Sequence, residues 1–214
     1  GNSFSADVAF FYNKEFRRNR KKSNMSYGVN ISNIGNKISY DKGVQKDFIP
    51  TNLRIGAGYG TEIDRYNKIY YTIDFNKLLV PTLIEEEGDE ETPTGGISDG
   101  RGNTNANMGV IEGMFRSFGD APGGFQEELQ EVTVSLGLEY WYNNQFIVRG
   151  GYFHESENKG DRKYMTLGAG LRMNVLSLDF SYIYTISRQS PLENTLRFTL
   201  GLDLDNFSKQ KGRR

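Results

Sequence analysis

The sequence predicts an all-β fold, a transmembrane antiparallel β-barrel of the outer-membrane kind, and three observations predict it. The first is alternation. Segments Lys163–Asn174, Val175–Ile186 and Thr195–Asp205 switch between apolar and polar side chains almost without error. Met165, Leu167, Ala169, Leu171 and Met173 oppose Thr166, Gly168, Gly170 and Arg172. Leu196, Phe198, Leu200, Leu202 and Leu204 oppose Arg197, Thr199, Gly201 and Asp203. Side chains on a strand alternate sides, so each segment has one apolar and one polar face. About ten residues, tilted near 45°, are what a strand needs to cross a bilayer. The second observation is composition. Tyr (13), Phe (14) and Gly (25) are abundant, as aromatic girdles and a small-residue lumen require. The mean hydropathy of −0.61 is no objection, because half of every barrel strand is polar. No apolar run approaches the length of a membrane-spanning helix, which excludes a helical membrane protein.

The third observation is the alternation of long and short connections. Six further strands carry the same period upstream, through Phe4–Tyr12, Met25–Ile31, Leu53–Tyr59, Ile69–Phe75, Val132–Tyr142 and Phe146–Tyr152. Outer-membrane barrels have short periplasmic turns and longer outside loops. Here the expected outside loops are Ile34–Thr51, Leu78–Gln130, Ser156–Arg162 and Ser187–Asn194. The expected periplasmic turns are Asn13–Asn24, Thr61–Asn67, Asn143–Asn144 and Asn174, of which only the basic Asn13–Asn24 is long. Every lysine is expected in a connection or at a strand end, since a mid-plane Lys on the lipid face costs about 2–4 kcal/mol.

The whole of residues 1–214 reads as one β-barrel domain fragment, with residues 206–214 as a basic periplasmic tail. Nine strands are odd, whereas bacterial single-chain barrels have an even number, and no signal peptide precedes the first strand. The expectation is therefore the C-terminal part of a larger barrel. Residues 78–130 form a long extracellular loop. Its acidic Glu85–Glu91 and Gly/Asn/Thr-rich Thr92–Asn107 read as mobile. Ile111, Met114, Phe115 and Phe118 then recur at helical spacing. Ala121-Pro-Gly-Gly124 stops that helix, and Phe125–Gln130 predicts a second short one.

Candidate sites follow from these faces. A net charge of −1 offers no field for nucleic acid. The absence of Cys removes disulfides, thiolate zinc sites and thiol catalysis. No cofactor or metal is expected. Asp99–Asn105 has oxygen ligands near glycines but not the spacing of a calcium loop. Gly56–Gly60 lies inside a strand, with its glycines toward the lumen. The single histidine, His154, falls at the outer rim on the lipid-facing side, and no serine on a neighbouring strand shares its face. Glu139, Arg149, Arg172, Asp179, Arg197 and Asp203 share the lumen face. Their mixed signs favour a structural network over a porin-like eyelet, because enclosed charges pair to satisfy one another. The apolar stripe on the outside loop either folds into the lumen as a plug or meets another protein. Partner binding through Ile111, Met114, Phe115, Phe118 and Phe125 is the leading expectation.

Several stretches also carry a resemblance. Gly109–Glu131, with Phe118-Gly-Asp-Ala-Pro-Gly-Gly-Phe125 at its centre, resembles the corresponding loop of the PorV (LptO) family. So do Ser32–Tyr40, Gly151–Glu155, Leu167–Leu171 and Asn194–Phe198. That family comprises FadL-like outer-membrane barrels of the type IX secretion system. The resemblance implies a fourteen-stranded barrel, of which about nine strands are present here, in the cell outer membrane. It also implies a non-enzymatic cargo shuttle. Its partners would be the SprA/Sov translocon, the C-terminal domains of secreted cargo and the PorU sortase. A FadL-like channel for hydrophobic small molecules and a lipopolysaccharide deacylase using His154 are the alternatives.

Overall fold

A computed structural model describes residues 3–38, 47–82, 108–187 and 195–203. The described residues form one nine-stranded antiparallel sheet in strict sequence order. Its strands are β1 (Ser5–Arg18), β2 (Lys21–Gly35), β3 (Asn52–Glu62), β4 (Asn67–Leu78), β5 (Val132–Tyr142), β6 (Phe146–His154), β7 (Lys163–Arg172), β8 (Leu176–Thr185) and β9 (Leu196–Leu202). Two short helices, α1 (Val110–Arg116) and α2 (Phe125–Gln130), interrupt the longest connection. The connections alternate short and long along the chain, as expected. The acidic Glu85–Glu91, the segment Thr92–Asn107, Leu204 and the basic tail 206–214 lie outside the described residues.

By internal contacts the chain divides into two compact units. One gathers Gly1–Ala9, Asn30–Leu53 and Lys77–Leu129; the other gathers Phe10–Val29, Arg54–Asn76 and Gln130–Arg214. In the second unit the register from β5 to β9 lays like upon like. Tyr140 faces Val148, Val148 faces Ala169, Ala169 faces Phe180, and Phe180 faces Phe198. On the opposite face Glu139 pairs Arg149, Arg149 pairs Gly168, and Gly168 pairs Ser181. This register keeps the exposed Leu, Val, Met and Phe side chains of β5–β9 on one side, while Trp141, Ile147, Phe153 and Ile183 share the other face with the charges. A slip of one residue would reverse the faces.

The exposure is inverted relative to a water-soluble sheet. Leu167 is 64% exposed and Phe198 76%, while the polar positions between apolar ones are the more enclosed. Among the described residues only Leu79, Ala121 and Ile147 are fully buried apolar side chains. A sheet with this little apolar core gains almost nothing from hydrophobic burial in water. An outward apolar face is the pattern that β-barrels present to hydrocarbon. Leu196 and Leu200 stand outward and are not covered by a second sheet.

Two expectations are corrected at the β1–β2 hairpin. The expected turn Asn13–Asn24 is only Asn19–Arg20, both at positive φ (51° and 65°), the conformation of a type I′ hairpin turn. The strands simply continue through Lys14–Arg18 and Lys21–Asn24. Lys14 therefore stands inside β1, against the expectation that lysines keep to connections and strand ends. The Asn143–Asn144 turn has the same conformation, with φ of 53° and 56°. At residues 63–66 the Asp64 carboxylate accepts the backbone N–H of Tyr66 at 2.8 Å and of Asn67 at 2.9 Å.

Candidate functional site

The long connection is built on a buried charge. Lys77 ends β4 as its strand leaves the sheet, and its Nζ reaches Glu128 Oε2 on α2 at 2.8 Å. Only 8% and 10% of these two side chains are exposed. The other carboxylate oxygen, Oε1, accepts the Ala121 N–H at 2.9 Å. Burial pushes the Glu128 carboxyl up, but the bonds from Lys77 and Ala121, with the Lys77 charge, outweigh it. The net effect holds the group below its ordinary value of 4.5. Between these anchors Ala121–Gly124 forms a tight turn, in which Gly124 N–H donates to Ala121 O and adopts φ +67°. Asp120, immediately before the turn, accepts the Thr82 N–H at 2.9 Å. The Gly-Asp-Ala-Pro-Gly-Gly run is thus the fixed base of the connection.

Helix α1 packs through its small residues, not through its apolar ones. Gly113 and Ser117, four apart and hence on one face, are buried. A Cβ on Gly113 would come within 2.8 Å of the Phe48 ring and 3.0 Å of Pro81, so a side chain there has no room. The predicted stripe lands on the other side. Ile111, Phe115 and Phe118 are exposed, Phe115 by 75%, and Met114 is half-buried. Phe125 and Leu129 of α2 are exposed as well. The predicted helix Ile111–Phe118 is in fact Val110–Arg116, whereas Phe125–Gln130 is as expected.

The inner face of β5–β8 brings four of the six predicted lumen charges into one cluster. Arg149 donates through Nε to Glu139 and through Nη1 to Asp179 Oδ1 at 2.6 Å. Arg172 reaches the same Asp179 oxygen at 2.9 Å and also donates to the carbonyls of Leu171 and Leu178. Trp141 Nε1–H donates to Glu139. Gly170 makes the space, since a Cβ there would stand 2.7 Å from Asp179 Oδ1. Arg197 is exposed on β9, and Asp203 follows β9. His154 sits at the end of β6, its Nδ1 3.3 Å from the Tyr152 hydroxyl.

Sequence reasoning missed the Lys77–Glu128 pair, Asp120 and the clip between Glu155 and Arg162. In that clip Arg162 Nε and Nη2 each lie 2.7 Å from the buried Glu155 carboxylate. The one available signal was the placement of carboxylates on both sides of a Pro-Gly-Gly turn. Among the described residues no group of His, Asp and Glu could hold a metal ion.

Residues 1–85 match the family model described as Type IX secretion system protein PorV. The matched segment spans β1 to β4, so the helical stretch 109–131 lies outside it. No curated protein matches the chain.

Proposed function

We infer that this chain, whose residues 1–85 match the family model described as Type IX secretion system protein PorV, is a PorV-like, non-enzymatic docking barrel of the outer membrane. The observation that carries this reading is the row Ile111, Phe115, Phe118, Phe125 and Leu129, exposed on a connection whose base is pinned by a buried ion pair. Aromatic side chains held on a rigid base lose little freedom on binding and are the usual anchors of protein interfaces. On this reading the sheet supplies the membrane wall. The family resemblance supplies the partners: the translocon SprA/Sov, the C-terminal domains of secreted cargo, and the sortase PorU to which cargo is handed. The role of a shuttle fits a surface that binds and releases, with no chemistry required of it.

The alternatives draw less support. A channel for hydrophobic molecules needs an apolar inner face, and Glu139, Arg149, Asp179 and Arg172 occupy that face of β5–β8. A deacylase needs a nucleophile beside His154, whose hydrogen-bond partner is a tyrosine. The test is the Phe115→Ser/Phe118→Ser double variant of the full-length protein. Each lost anchor is worth about 2 kcal/mol or more, a factor of about 30. With two removed, translocon and cargo should fall by more than about 100-fold in co-purification while the barrel's thermal unfolding in detergent is unchanged. Undiminished co-purification would refute the docking surface.

A further inference from the structure

We propose that the β1–β2 hairpin and the groove beside it hold one anionic glycerophospholipid of the periplasmic leaflet. The inference rests on reading the sheet as a membrane wall, and its test separates the two. The two-residue turn Asn19–Arg20 sets Arg18 opposite Lys21 and Lys14 opposite Met25, a register that agrees with the Tyr12–Tyr27 ring stack at 4.9 Å. Alternation then places Lys14, Arg18 and Lys21 on the same face as Tyr12, Phe16 and Tyr27, the face that carries the exposed apolar side chains. Glu15, Arg17 and Lys22 turn the other way.

Three cations on a hydrocarbon-facing side demand a counter-charge. Asp64 lies within electrostatic reach of Lys21 but is already occupied in capping its own turn. The Tyr59 hydroxyl lies near Arg18, Ser23 and Thr61. Tyrosine beside basic side chains at a strand end is the composition of a headgroup boundary. Phosphate is the anion that such a boundary supplies.

The second observation is the groove. Tyr59, whose ring lies 6.5 Å from that of Phe16, also lines a cavity of about 620 Å³ with Met25, Tyr71, Leu136, Leu138 and Tyr152. Ala57 and Gly150 also line it, and among its lining residues there is no charged group. Gly150 has open space where a side chain would be. Lys21 and Met25 are four residues apart, about 13 Å along a strand. That is close to half of a hydrocarbon core of about 30 Å. A lipid whose phosphate meets Lys14, Arg18 and Lys21 would thus lay one acyl chain in the groove.

The experiment is native mass spectrometry of the full-length protein with phosphatidylglycerol or phosphatidylethanolamine of equal chain length. The expected result is one retained phosphatidylglycerol and a clear preference over phosphatidylethanolamine. Lys14→Gln/Arg18→Gln/Lys21→Gln should remove that preference, at about fivefold per cation. Gly150→Leu should weaken long-chain phosphatidylglycerol about tenfold and leave the dihexanoyl form unchanged. Equal binding of both headgroups, an unaffected triple variant, or displacement by millimolar inorganic phosphate would each overturn the lipid site. Recovery of the unaltered protein outside the membrane fraction would instead overturn the barrel reading, and the lipid site with it.

Discussion

Two charge clusters in this molecule do different work with the same chemistry. In the unit that holds the long connection, Lys77 and Glu128 are 51 residues apart, nearly sealed from water, and bound to each other. On the inner face of β5–β8, Glu139, Arg149, Asp179 and Arg172 share bonds among four side chains, each a quarter to a third exposed. The network is shared and partly wetted; the pair is nearly dry. Removing one partner of a buried pair leaves an uncompensated charge, which costs about 3–5 kcal/mol. Lys77→Met should therefore give the larger loss of stability and open the 79–131 connection to protease. Lys77→Met/Glu128→Gln should restore most of it, because a matched neutral replacement strands no charge. A single variant that loses under about 1 kcal/mol would deny the pair its anchoring role.

The network should yield less. Asp179→Ala leaves Arg149 with Glu139, and Arg172 with the carbonyls of Leu171 and Leu178. The expected loss is about 1–3 kcal/mol, reduced by the water that reaches these groups. Arg197→Gln, outside the four, should stay within about 0.5 kcal/mol. Thermal unfolding of the full-length barrel in detergent orders the three. If Asp179→Ala cost as much as Lys77→Met, the inner face would be far drier than its exposure indicates.

The same contrast explains what was legible in the sequence. Alternation with period two announces a strand and sorts its faces, so Arg149, Asp179 and Glu139 could be assigned to one side without coordinates. Register does not follow from alternation alone. A slip of one residue would put Leu167 or Phe198 on the polar face, but a slip of two keeps the faces, so which charges meet was not legible. Nothing periodic connects Lys77 to Glu128, since the contact is made by a loop that closes on itself. The helical stripe was also visible, but period reports a face and not what covers it. Gly113 packs because it is small enough to admit Phe48 and Pro81, and Ser117 is buried one turn on. The β1–β2 turn was misread because a run of basic residues looks like a loop, whereas Asn19 and Arg20 alone carry the positive φ.

The smallest effect concerns acid, and its sign follows from Glu128. Its folded carboxyl sits below the ordinary value of 4.5, so the folded state binds fewer protons than the unfolded one around that pH. The stabilisation is complete above the unfolded value and fades as pH falls through the folded one. The 79–131 connection should thus become progressively easier to cleave with an acid-active protease below about pH 4.5, with no change between pH 6 and 8. Glu155 is held low in the same sense, first by its bond from Arg162, with burial opposing. Since that guanidinium is 58% exposed, the connection 155–162 should respond more weakly. Lys77→Met/Glu128→Gln has no group to protonate there, and its cleavage at 79–131 should lose the acid dependence while 155–162 keeps it. If the double variant still opened with acid as the parent does, Glu128 would not be the titrating anchor.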